Sequence, residues 1–467
     1  MFYGSTRSHA SYSFTRVVLD GLMEDGGLSV PQHVPNFESR LAELASLSYV
    51  ELALVLMEPY VVEPTGLTRS DLYEVLTKAY RSEVFQSEEI TPVLSLGGGV
   101  HLLQVSNGPT LAFKDIAMQF LGHLFEFLLK RNHQTMNILG ATSGDTGSAA
   151  EYAFANKQGI NIFMLSPHDR MSRFQRAQMY SLLADNIFNV AIEGVFDDCQ
   201  DLVKLVNQNQ NFKRTHRIGA VNSINWGRIL AQMVYYFKGV LALKKQGISI
   251  DCGVDVCVPS GNFGNAYAAF LAKRMGLPIR RIVVATNEND VLDEFFRTGI
   301  YRPRPASQTL ATSSPSMDIS KASNFERCVY DWVGADETAR CWRLLETQGF
   351  FDLKGMLKNI QKDFVSGSST HQDRIKTIGQ VYHENKRVID PHTADGVKVA
   401  KEKMDECPML VVETALAVKF NETVKEALGF SLPYPTHLAD IETRPQKVTV
   451  LPVDVEKLSS FIQQQIG

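Results

Sequence analysis

A lysine at the head of an apolar helix and two glycine-rich turns are the places where this chain could do chemistry. In Leu111–Leu129 (LAFKDIAMQFLGHLFEFLL) and the lysine that follows, the polar residues Gln119, His123, Glu126 and Lys130 fall along one narrow stripe. That spacing predicts a buried helix from Ile116, with Lys114 at its N-terminus. Unpaired N–H groups and the macrodipole disfavour a cation there by only about 0.3–1 kcal/mol. The position therefore fits either a solvated surface lysine or an amine that is neutralised or covalently used.

The two turns share one construction. In GATSGDTGSAAEYAFA a strand ends near Thr142, Ser143, Gly144, Asp145, Thr146 and Gly147 make the turn, and a small-residue helix starts at Ser148. In VPSGNFGNAYAAFLAKRMGLP the residues Gly261, Asn262, Phe263, Gly264 and Asn265 join a strand to a helix that stops at Gly276 before Pro278. Glycines let a backbone approach a ligand, and the first N–H groups of the following helix point outward as donors, so each turn could cradle an anion. A plain capped βα turn accounts for either one alone equally well. Neither has the Gly-Lys-Ser/Thr of a nucleotide P-loop nor the G-x-G-x-x-G of a dinucleotide site, which argues against ATP and NAD.

The elements that must position these groups alternate in a βα rhythm. Short β-branched runs at 136–143, 161–167, 187–194, 254–260, 281–287 and 409–415 are mostly followed by helical patterns, which predicts an α/β protein with parallel sheet covered on both faces. Residues 1–90 read differently, as mostly helical, with helices at 14–22, near 36–58 and near 68–80. RPRPASQTLATSSPSMD (302–318) and SGSST (366–370) have the composition of loops.

A chain of 467 residues is long enough for two or three domains. With 47 basic and 51 acidic residues the net charge is −4, so neither nucleic acid nor any other polyanion is expected as a partner, while a small anion remains possible. Cys199, Cys252, Cys257, Cys328, Cys341 and Cys407 are far apart and lack the spacing of a zinc or redox pair. They are expected to be reduced thiols, and no metal is expected. With no apolar signal region and no run of the roughly 18 residues that a membrane span needs, a soluble cytoplasmic protein is expected.

A lysine with two anion cradles is also the set that pyridoxal 5'-phosphate requires: an amine for attachment, a phosphate pocket, a group facing the pyridine nitrogen and a second pocket for a substrate carboxylate. Spacing alone does not say which loop serves which anion. The words of the sequence do more. YGSTR (3–7) with DGGLSVP (25–31), LAFKDIAMQ (111–119), GATSGDTGSAA (140–150), NSINWGRILAQMVYYF (222–237), VPSGNFGN (258–265), ATNENDVLDEFF (285–296), SPSMDISKASNFER (314–327) and DPHTADG (390–396) resemble the threonine synthase family nearly end to end. Within that family the threonine synthase-like proteins of animals look most similar.

The resemblance implies a fold-type II pyridoxal-phosphate enzyme, related to the tryptophan synthase β subunit. It implies two open parallel-sheet lobes after the helical segment: residues 91–112 and 216–467 as the large cofactor-bearing lobe, and 113–215 as a smaller mobile substrate lobe. It also implies that Lys114 carries the cofactor, that residues 261–265 wrap its phosphate, and that Thr414 faces the pyridine nitrogen. Ser143 to Gly147 would engage the amino-acid end of a small phosphorylated amino-acid substrate. LSPHDRMSRFQRAQM (165–179) aligns loosely with a family segment, making Arg170, Ser172 and Gln175 candidates for the substrate phosphate, although Asp169 stands where the family has glycine. Asn222 and Arg228 are further candidates for the cleft.

One departure directs the functional expectation. Where threonine synthases of this branch carry a His-Pro pair after the pyridine-facing threonine, this chain has Leu416 and Ala417. Loss of that imidazole, with the likeness to animal proteins regarded as phospho-lyases, leads to the expectation of a lyase. It would convert O-phosphohomoserine or O-phosphothreonine to 2-oxobutyrate, ammonia and phosphate. The alternatives are a true threonine synthase, a dehydratase of free serine or threonine, and a non-catalytic binding or signalling homologue.

Overall fold

A computed structural model describes residues 2–63 and 66–466. A six-stranded sheet runs in the order Phe364–Ser368, Ile279–Thr286, Val254–Pro259, Met409–Glu413, Val100–Gln104 and Val93–Gly97. All neighbours run parallel except the last two. Val254–Pro259 and Met409–Glu413 lie fully buried at the centre, as their unbroken apolar runs require. The second sheet has five parallel strands, in the order Thr449–Leu451, Ile187–Ile192, Ile160–Pro167, Met136–Ala141 and Ile218–Gly219.

The strands differ from the sequence reading where the pattern is weak. The first three residues of SGSST are not loop: Phe364–Ser368 is an edge strand whose Ser366, Gly367 and Ser368 pair with Val284, Ala285 and Thr286. Val93–Gly97 and Val100–Gln104 were not anticipated, because a hairpin written SLGGGV offers no β-branched run. The C-terminal strand Thr449–Leu451 and the helix Val455–Ile466 join the five-stranded sheet, with Leu458 and Ile462 in its apolar cluster. Residues 216–467 are thus not all in one lobe, and a three-residue strand with exposed Val450 gives no periodicity to reveal it. The helix expected near 36–58 is broken, and its second part, Tyr49–Val61, starts from a Ser48–Glu51 capping box.

The cysteines also need correction. Cys252 and Cys407 form a disulfide with Cα atoms 5.9 Å apart. They are 155 residues apart in sequence, yet each stands two residues before one of two adjacent parallel strands, so sheet register brings them together. Cys199, Cys257, Cys328 and Cys341 are free and buried. Among the described residues no helix is long and apolar enough to cross a membrane, and no group of His, Cys, Asp or Glu could hold a metal ion.

The Lys114 helix, Lys114–Arg131, links the two sheets, packing against Asp145–Phe154, Trp226–Lys245 and Arg69–Ala79. Its approach to Asp145–Phe154 depends on Gly122, since a Cβ there would stand 2.3 Å from the Ala153 carbonyl oxygen. Gly122→Ala must push the helices apart. It is expected to lower stability by about 1–3 kcal/mol, the usual cost of overpacking, and a urea titration with an unchanged midpoint would contradict this packing.

Candidate active site

Lys114 owes its place to backbone pairing at the end of the central strand Met409–Glu413. Phe113 N–H donates to the Thr414 carbonyl at 2.8 Å, and Leu416 N–H donates to the Leu111 carbonyl at 3.0 Å. Asp115 fixes the approach from the other side by accepting the Thr110 N–H at 2.8 Å and the Thr110 hydroxyl at 2.7 Å. Burial pushes the Asp115 carboxyl up to about 6. The helix therefore starts at Lys114 itself, two residues earlier than expected, and Lys114 lines the same cleft as Thr414.

One cleft gathers Lys114, Thr414, Thr146, Arg228, His392 and the turn from Gly261 to Asn265. It lies at the C-terminal ends of the adjacent strands Val254–Pro259 and Met409–Glu413, where open parallel sheets place their ligands. Phe263, at φ 65°, lets the helix Gly264–Arg274 begin directly on the turn. A wider surface cleft of about 650 Å³, around Lys78, His123, Glu126 and Lys130, contains none of these groups.

The cleft is short of anions. Lys114 is buried, and burial pulls its amine below the ordinary lysine range; Asp145 pushes back, while Lys419 and Arg228 add to the lowering. Asp145 Oδ2 lies 3.5 Å from Lys114 Nζ, and its Oδ1 lies 2.8 Å from Lys419 Nζ. Burial alone would raise the Asp145 carboxyl, but Lys419 and then Lys114 outweigh it and hold it well below the usual range. Arg228 is buried without a partner for Nε or Nη1, and burial lowers its guanidinium to about 10. Ser260 Oγ and Asn265 Nδ2 are also unpartnered, the amide oxygen of Asn265 being taken by the hydroxyls of Tyr235 and Tyr236. Buried donors without partners cost about 1–3 kcal/mol each, so this set fits phosphate groups.

The other expected residues divide. The turn of Ser143 to Gly147 lines the cleft with Thr146 and contacts its Lys114 through Asp145, and Thr142 Oγ1 ties it by accepting the N–H groups of Gly144 (3.0 Å) and Gly147 (2.9 Å). Ser143 is exposed, Gly144 takes φ 147°, and the helix begins at Asp145 instead of Ser148. Arg170 and Ser172 are exposed and do not line the cleft; Ser172 caps the helix Arg173–Tyr180. Asp169 pairs with Arg176, and Gln175 donates to Asp145 Oδ1 at 3.2 Å. Asn222 is exposed, whereas Ser223 and Arg228 line the cleft.

Sequence reasoning missed Lys419, Ser316 and His392, although the last two stand inside the motifs SPSMDISKASNFER and DPHTADG. His392 Nε2 accepts the Ser316 N–H at 3.1 Å, so Nδ1 carries the proton toward Asp390 Oδ1, 2.8 Å away. Ser316 Oγ in turn donates to Asp145 Oδ2 at 3.2 Å. Only an i,i+2 Asp-x-His spacing in DPHTADG hinted at such a pair.

Three family models cover the chain: "Threonine synthase N terminus" over residues 2–80, "Pyridoxal-phosphate dependent enzyme" over 84–351 and "Threonine synthase, C-terminal" over 393–462. The chain is 49% identical to a threonine synthase of Methylobacillus glycogenes, over 100% of both chains. It is 37% identical to human threonine synthase-like 1, over 89% of this chain and 58% of that one. The solved pyridoxal-phosphate-bound threonine synthase of Brucella melitensis superimposes with a TM-score of 0.94 at 37% identity, covering 100% of this chain and 99% of the other. The fold is that of fold-type II enzymes, the cofactor is pyridoxal 5'-phosphate, and the reaction class is carbon–oxygen cleavage at a phosphate ester. With an amine, a neutral hydroxyl and unpaired phosphate donors in one cleft, and with these likenesses from end to end, the chain belongs to the threonine synthase family of pyridoxal-phosphate enzymes.

Proposed function

We propose that this protein is a threonine synthase, which turns O-phosphohomoserine and water into threonine and phosphate. Lys114 would hold the cofactor, Ser260 and residues 261–265 its phosphate, and Thr414 its ring nitrogen. When bound, pyridoxal phosphate supplies an electron sink for the pair left when a proton leaves the substrate's α-carbon. Lys114 is suited to take that proton, because burial pulls its amine below the ordinary lysine range and so makes the uncharged form more accessible than in a solvated lysine. The Thr414 hydroxyl, unlike a carboxylate, leaves the ring nitrogen without a full counter-charge, which suits elimination over transamination. Arg228 and Ser223 would take the substrate phosphate, the role that the sequence reading gave to Arg170 and Ser172. The turn of Ser143 to Gly147 would take the amino-acid end.

The observation that carries this reading over the lyase concerns residue 416. Leu416 packs outward among Phe174, Val418 and Leu438, away from the cleft. An imidazole reaches the cleft from another element, at His392, with its tautomer fixed by Asp390. The loss of a histidine at 416 therefore does not strip the cleft of polar groups able to order water. Full-length likeness to proteins named threonine synthase supports the same choice.

Purified holoenzyme given O-phosphohomoserine should release threonine and phosphate in equal amounts; 2-oxobutyrate and ammonia without threonine would restore the lyase. Borohydride reduction and peptide mapping should place the cofactor on Lys114, and Lys114→Ala should lower phosphate release on the order of a thousandfold.

Arg228→Met separates binding from folding. Replacing an unpaired buried cation by an apolar chain should stabilise the ligand-free fold by about 1–3 kcal/mol and raise KM for the phosphorylated substrate at least about tenfold. Thermal melts and steady-state kinetics check the two effects.

A further inference from the structure

The charges around Lys114 Nζ come from separate elements. Asp145 opens the helix Asp145–Phe154 beside the five-stranded sheet, while Lys419 and Thr414 follow the central strand of the six-stranded sheet. Arg228 lies in the helix Trp226–Lys245, and His392, which faces Asp145, opens Pro391–Lys403. Asp145 is the one carboxylate within ion-pair reach of Lys114 among the described residues.

That carboxylate is shared. Lys419 has no exposed side-chain surface, and its ammonium is satisfied by Asp145 Oδ1 at 2.8 Å and the Thr110 carbonyl at 2.6 Å. A buried lysine so held is costly to leave unpaired, so Oδ1 is committed and Oδ2 is turned toward Lys114, with Ser316 Oγ steadying it. An amine that must alternately hold and release a proton needs a neighbour that favours the charged form without trapping it. A carboxylate facing Lys114 alone would trap it; one divided between two ammonium groups does so less.

We propose that Asp145 holds the proton at Lys114 Nζ, and that Lys419 is a positioning residue that acts through Asp145 by drawing off part of its charge. This rests on Lys114 being the reacting amine. The proton moves between the substrate α-carbon and Nζ, and Asp145 stays ionised throughout. The sign follows from Coulomb's law. Removing the carboxylate leaves Lys114 facing Lys419 and Arg228, which makes Nζ lose its proton more readily. Removing Lys419 returns the whole carboxylate to Lys114, which makes Nζ keep it.

Two readouts test this: the pH midpoint of the visible band of the holoenzyme, and the pH dependence of Lys114 acylation by acetic anhydride in cofactor-free protein, followed by peptide mass mapping. Asp145→Asn should lower the midpoint by about one pH unit, Lys419→Met should raise it by about as much, and Lys419→Arg should return it to the parent value. Shifts of the same sign, or none, overturn the proposal, since a merely structural role predicts no opposition. Each variant decides its own sign, so misfolding of one leaves the other able to refute. If the parent gains no visible band, the reading of Lys114 as cofactor lysine fails, while the acylation profile still judges the pairing.

Discussion

Two backbone hydrogen bonds set the frame of the site. Residues 111 and 113 pair with 416 and 414 in an isolated antiparallel contact, with Leu111 at φ 59°, and so fasten the start of the Lys114 helix to the end of a fully buried central strand. That strand is held between Val254–Pro259 and Val100–Gln104 and has no exposed residue. Its neighbour Val254–Pro259 ends in the turn of residues 260 to 265. The Lys114 amine, the Thr414 hydroxyl and the turn of residues 260 to 265 therefore share one rigid reference, which is what a reaction dependent on orientation requires.

Around this frame the electrostatics are deliberately unbalanced. Lys114 and Lys419 share the carboxylate of Asp145, and Arg228 adds a further positive charge beside Lys114, in a cleft where charges interact far more strongly than in water. Each buried cation without a partner raises the free energy of the empty protein, and a bound dianion offsets that cost. The cation excess and the orphaned donors of Ser260, Asn265 and Arg228 are one feature seen twice. A fold selected for stability alone would have paired these groups.

How much could be read beforehand follows from the range of the forces involved. The buried strands were legible as β-branched runs, with edges off by a residue or two, because both faces of each strand are apolar. Lys114 and the turn at 261–265 were legible because local constraints, a helix start and a βα turn, place them. Lys419, Ser316 and His392 were not, since the contacts that bring them to the site, Lys419 to Asp145, Ser316 to Asp145 and His392 to Ser316, span 274, 171 and 76 residues and no period connects them. The same blindness hid the Cys252–Cys407 pair. Arg170 and Ser172 lie outside the cleft, where local physics places them: both are exposed and Ser172 caps its own helix.

The helix that bears Lys114 also explains how the two sheets can act together. At one end it is pinned to the six-stranded sheet through Thr414; along its length it touches the helix of Asp145 closely enough that Gly122 meets Ala153 without a side chain between. Asp145 heads that second helix, and its carboxylate crosses back to Lys419 and Ser316. The small sheet is thus joined to the large one by an apolar contact that fixes separation and a charged contact that fixes angle. Apolar packing resists compression but is indifferent to small rotations, whereas a carboxylate divided between two ammonium groups is sensitive to them. Any change in the angle between the two sheets would alter first the distances from Asp145 to Lys114 and Lys419.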